Sequence, residues 1–154
     1  MSVKKASKKI MKKPAIAAGA LTGVNVVPMT NIAGAMTTYD FFFRTATTGT
    51  IKTIEINFPP LSVDPRNATI MIEKINIGSG KLVGLFDMVS LSRLTFTVTN
   101  PVSIAAGTNI RLEVARIIAM VPADWFATIT TKNTAGGIID GPTQSPPFTI
   151  IRPF

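Results

Sequence analysis

The 154-residue chain contains no cysteine and no histidine. Without cysteine there is no disulfide framework, no thiolate nucleophile and no thiolate ligand for a metal. Without histidine, the commonest general base near neutral pH and the commonest transition-metal ligand are both absent. Polar aromatics are nearly absent too, with Trp125 the only tryptophan and Tyr39 the only tyrosine. A carbohydrate-binding face would need exposed aromatics, for which a single tryptophan and a single tyrosine are thin support. The eight acidic residues (Asp40, Glu55, Asp64, Glu73, Asp87, Glu113, Asp124 and Asp140) form no tight motif. No nucleophile elbow or phosphate-cradling glycine loop occurs. The expectation is a protein that is not an enzyme and takes no cofactor.

The charge that is present is unevenly placed. Lys4, Lys5, Lys8, Lys9, Lys12 and Lys13 supply six of the 16 basic residues. That leaves ten against eight acidic residues beyond Pro14, so the +8 of the whole chain falls to +2 for its body. The body has no electrostatic reason to seek nucleic acid or an anionic membrane. Pro14 to Val27 is uncharged and largely apolar, and Ala33-Gly34-Ala35 follows. The run is too short for a helix crossing the bilayer, which takes about 20 apolar residues. A cationic start, a short apolar run and a small-x-small exit are the parts of a secretory signal peptide. Residues 1–35 are therefore expected to be a cleavable leader, with a domain over 36–154. The alternative is a retained basic arm whose six lysines neutralise the phosphates of a packaged genome. No arginine or aromatic is interleaved among those lysines, which suits a leader better than a nucleic-acid grip.

From Thr37 the chain reads as short β-type runs punctuated by Gly, Pro, Asn and Asp. Candidate strands cover 37–46, 50–58, 68–75, 81–89, 91–98, 109–118, 125–132 and 148–152. Ile54, Ile56 and Phe58 alternate with Thr53, Glu55 and Asn57; Leu94, Phe96 and Val98 alternate with Thr95 and Thr97. Ile110, Leu112 and Val114 continue the same period of two, which fits only as far as Ala115. About eight strands with no convincing helix predict an all-β fold, a single antiparallel β-sandwich of Ig-like or jelly-roll type.

Within that frame a few residues invite a role. Tyr39, Phe41 and Phe43 share one strand face, and Phe42 points the other way. A first strand apolar on both faces is suited to pairing with another subunit, so Tyr39, Phe41, Phe42 and Phe43 are the candidate assembly residues. Its ordinary alternative is burial within its own domain. Glu55 and Glu113 lie beside Lys52 and Arg111, which predicts cross-strand ion pairs. Asp64 and Asp140 stand in Asp-Pro and Asp-Gly turn contexts. A loop calcium site drawing on Asp64, Asp87, Asp124 or Asp140 has no support from spacing. Asn67-Ala68-Thr69 is the one sequon, so Asn67 is a possible glycosylation acceptor. The Pro-rich Gly141–Phe154 ends either in a closing edge strand or in a tail that docks on a neighbour.

Three segments, Ala46–Pro59, Pro101–Val114 and Ala127–Pro142, resemble a strand-and-turn pattern of secreted and surface-displayed β-sandwich proteins of archaea and bacteria. The resemblance implies an exported structural protein that self-assembles into a surface layer or filament and binds no small molecule. A homo-oligomer or polymer outside the cell is the expected state, with a virion shell as the alternative.

Overall fold

The computed structural model describes residues 18–73 and 77–154, and among them every regular element is a strand. In chain order these are β1 (Thr22–Pro28), β2 (Met36–Arg44), β3 (Gly49–Thr50), β4 (Thr53–Phe58), β5 (Val63–Asp64), β6 (Thr69–Glu73) and β7 (Gly80–Asp87). There follow β8 (Leu91–Val98), β9 (Ser103–Ile104), β10 (Asn109–Ala119), β11 (Ala123–Trp125), β12 (Thr128–Lys132), β13 (Ile138–Gln144) and β14 (Phe148–Ile150). One sheet runs β1-β2-β10-β5, with β6 also paired to β10; the other runs β13-β12-β4-β8-β7. Two short ribbons, β9 with β3 and β11 with β14, complete the pairing. All of these strand pairs are antiparallel, and the fold is an all-β sandwich.

The alternation seen in the sequence explains the core. Tyr39, Phe41 and Phe43 of β2 and Ile110, Leu112 and Val114 of β10 are buried from one sheet. Ile54, Ile56 and Phe58 of β4, Leu94, Phe96 and Val98 of β8 and Ile129 of β12 are buried from the other. Aromatic rings lock the layers together: Phe41 meets Phe58 edge-on at 5.9 Å, and Phe148 stands edge-on to both Phe58 and Tyr39. The period of two in β10 breaks at Ala115–Arg116 because the strand bulges there. Its register against β2 shifts between Val114 and Ile117, and Arg116 takes a left-handed φ of 69°. Beyond the bulge Ile117 and Ala119 are buried, and β10 passes from its pairing with β6 to that with β5.

The sandwich begins earlier than the expected boundary at Met36. β1 pairs with β2, setting Asn25 opposite Phe42 and Val26 opposite Phe41. Leu21, Val24 and Val26 enter the core. Ala33-Gly34-Ala35 is itself hydrogen-bonded into the fold: Ala33 N–H donates to Ile151 O, Gly34 N–H to Ala119 O, and Ala35 O accepts from Ala119 N–H. A boundary after Ala35 would cut the outer strand from its sheet. The six lysines and Pro14–Ala17 lie outside the described residues, as does the 74–75 end of the third expected strand.

Candidate functional site

The acidic side chains that the structure describes are dispersed in structural roles. Asp64 is gripped by Arg66, whose Nη2 donates at 2.8 Å and whose Nε reaches both carboxylate oxygens. That hydrogen bond is the main reason the Asp64 carboxyl is held below its usual pKa range. Asp140, whose Asp-Gly context reads as a turn, instead sits fully buried in β13. Its Oδ2 accepts the backbone N–H groups of Ala46 and Thr47, tying the β2–β3 loop to β13. Asp87 caps the β7–β8 turn by accepting from Val89 N–H and Ser90 Oγ, and Asp124 accepts from Thr149. No group of three or more acidic side chains converges among the described residues.

Neither expected pair crosses strands as written. Arg111 reaches Glu113 at 3.7 Å within β10 and pairs across strands with Asp40 at 3.0 Å, while Glu55 pairs across strands with Lys132 at 3.4 Å. Lys52 turns away to donate to Val98 O. In period-two numbering Lys52 lies beyond the start of β4, whereas β12 sets Lys132 on the same outer face.

The aromatic run has a similar division. Tyr39, Phe41 and Phe43 are at most 2% exposed, and β2 has a strand on each edge. Any contact of these three with another subunit would require β2 to leave the sandwich. Phe42 alone faces outward, and the Arg111 guanidinium lies over its ring at 5.6 Å while bonding Asp40. Trp125 is half-buried and donates to Val121 O, so with Tyr39 internal the two form no joint platform. Asn67 is exposed at the turn before β6, and Phe148 and Ile150 make the C-terminal segment a closing strand paired with β11. An open groove of about 310 Å³ lies between Asn57, Phe58, Pro59, Phe126, Thr128 and Gln144, with no charged side chain in its lining.

What sequence reasoning passed over is β7. Among the described residues it is an edge strand paired only with β8, and its outward face carries Lys81, Val83, Leu85 and Asp87. Val83 and Leu85 are each 45% exposed, and the turn that follows bares Met88 and Val89 at 59% and 83%. Its inward face is fixed from below. A Cβ on Gly84 would collide with the Pro65 carbonyl, and the Arg66 guanidinium sits 5.0 Å over the Phe86 ring. The signal was present in Lys81–Val89, whose apolar residues fall on both faces of an alternating strand. It was the pattern assigned to Phe41–Phe43.

No known family and no curated protein sequence matches this chain. Solved structures do match in fold. A crystal structure of BslA, a bacterial hydrophobin, aligns with a TM-score of 0.55 at 6% identity, covering 90% of this chain and 98% of that one. An uncharacterized protein from Nocardia farcinica with an immunoglobulin-like fold aligns at 0.52 and 16% identity, covering 82% and 96%. At such identities the likeness is one of architecture, an immunoglobulin-like β-sandwich.

Proposed function

We propose that this chain is a non-enzymatic structural protein that acts outside the cell or at its surface by associating with copies of itself. The observation that carries the reading is the apolar group Val83, Leu85, Met88 and Val89, displayed together on one edge strand and its turn. Single exposed apolar residues are ordinary, but a cluster on an unpaired edge is a recognition surface. The chemistry agrees: a chain without histidine or cysteine, whose described acids are engaged in turns and ion pairs, offers little to a substrate. The shared architecture with a bacterial hydrophobin fits a surface role.

Export in this reading keeps β1 in the mature protein, so any processing falls ahead of Leu21 rather than after Ala35. The burial of Leu21, Val24 and Val26 supports that placement. The same continuity favours one second reading. If nothing is removed, Lys4, Lys5, Lys8, Lys9, Lys12 and Lys13 stay tethered to the sandwich as a cationic arm for a genome-binding shell.

Two measurements test this. Sedimentation of the full chain should show species larger than 16.4 kDa as concentration rises. A monomer persisting at about 1 mM would overturn self-association as the function. The intact mass from the native source should show a start between Pro14 and Leu21. A start at Met1 or Ser2, with co-purifying nucleic acid, would move the shell protein to first place.

A further inference from the structure

We infer that β7 is the edge by which two copies of this chain pair, antiparallel and about a two-fold axis at Gly84. This deepens the self-association reading and rests on it for the identity of the occupant, a second copy.

The hydrogen-bonding parity of β7 follows from its pairing with β8. The register sets Gly80 opposite Val98 and continues to Asp87 opposite Leu91. One step back, Ser79 stands opposite Thr99, and Thr99 N–H donates to Ser79 O at 2.9 Å. In an antiparallel ladder such bonded pairs alternate. Lys81, Val83, Leu85 and Asp87 therefore turn their backbone groups towards β8. Gly80, Leu82, Gly84 and Phe86 turn theirs to the outer edge, where no described strand pairs with them. An eight-residue edge without proline is a template for another strand.

That template is complementary to itself. Laid antiparallel about Gly84, Lys81 comes opposite Asp87 of the second copy, Val83 opposite Leu85, and Gly84 opposite Gly84; the two-fold repeats each pair. Gly84, and Leu82 with Phe86, supply the backbone bonds across the axis. The outward side chains then fall at non-bonded positions, where Cα atoms approach to about 4.5 Å and side chains are closest. Charge also fixes the register. A slip of two residues one way sets Lys81 against Leu85, and the other way sets Val83 against Asp87; either loses both ion pairs. A lone lysine on an edge strand ordinarily repels a neighbour, but here each Lys81 meets across the axis an Asp87 carboxylate that is exposed and can accept a further donor while it caps its own turn. The strand is also held before it pairs, by Pro65 behind Gly84 and Arg66 over Phe86, which lowers the ordering cost of association.

The test uses the full chain in sedimentation equilibrium, with melting temperature as the check on folding. The native chain dimerises. Lys81→Asp, which opposes Asp87 with a like charge on both sides of the axis, weakens the dimer at least about tenfold. Lys81→Asp combined with Asp87→Lys restores it. Because the chain lacks cysteine, Val83→Cys with Leu85→Cys yields a covalent dimer on mild oxidation, while Val83→Cys alone does not. Association that ignores the charge reversal, with no preference for the double cysteine variant, overturns β7 pairing and leaves self-association standing. A monomer at every concentration overturns both. A closed dimer with the expected variant pattern and no larger species supports β7 pairing and overturns the layer or filament.

Discussion

The Tyr39 hydroxyl is buried among rings and has no hydrogen-bond partner among the described residues. Burial raises the phenol well above its ordinary pKa, so it stays neutral across the accessible pH range. An unpaired buried hydroxyl costs stability. Tyr39→Phe should therefore be neutral or stabilising by up to about 1 kcal/mol, read from the denaturant midpoint. A clear loss of stability would mean that the hydroxyl is bonded. Asp64 is the opposite case, a carboxylate whose folded pKa lies below its unfolded value of about 3.9. Its contribution is complete above that value and disappears as pH falls through the folded pKa. Native stability should drop more steeply below about pH 4 than that of Asp64→Asn. Because the Arg66 side chain is 59% exposed, the difference is small. Superimposable urea curves for the two proteins at pH 3 and pH 6 would remove the pair from the account.

Among the elements, β1 decides most. A chain starting at Ala18 should unfold cooperatively, whereas one starting at Met36 lacks Leu21, Val24 and Val26. Each such buried side chain contributes about 1.5–3 kcal/mol, and a domain's whole stability is about 5–15 kcal/mol. The Met36 chain should be unfolded or molten by near-ultraviolet circular dichroism. If it melts like the longer chain, β1 is dispensable and a cut after Ala35 stands. The strands that could be read directly are β4 and β8, whose inward residues alternate without a break between polar outward ones, and β10 as far as its bulge at Ala115–Arg116. β1 alternates too, with Val24 and Val26 in and Asn25 and Val27 out. Its composition after a lysine-rich start made the leader pattern compete with the strand pattern. β13 was hidden because Gly136-Gly137 and Gly141-Pro142 signal turns; proline is tolerated there because β13 is an edge. Asp140 was misjudged for the same reason, since a side chain holding two backbone amides of another loop leaves no local trace. Lys81–Val89 and Phe41–Phe43 carry the same two-faced apolar pattern, and which of the two strands is exposed depends on which one ends its sheet, a fact of topology.

For the whole molecule, the character of the association separates charge from apolar contact. Sodium chloride at about 0.5 M shortens the screening length well below its physiological value and should weaken the dimer only modestly. Ammonium sulfate should strengthen it, because excluded salts favour burial of Val83 and Leu85. A dimer that dissolves in sodium chloride and gains nothing from sulfate would be held by its ion pairs alone. β10 also sets a schedule. It sits beside β2, β5 and β6, joining Phe41 to Leu112 and Val63 to Ala119 across long stretches of chain. Closing such loops is slow. A chain delivered from its N-terminus therefore cannot complete its first sheet until Ala119 has emerged, so β2 waits for its second neighbour until most of the sequence has been made.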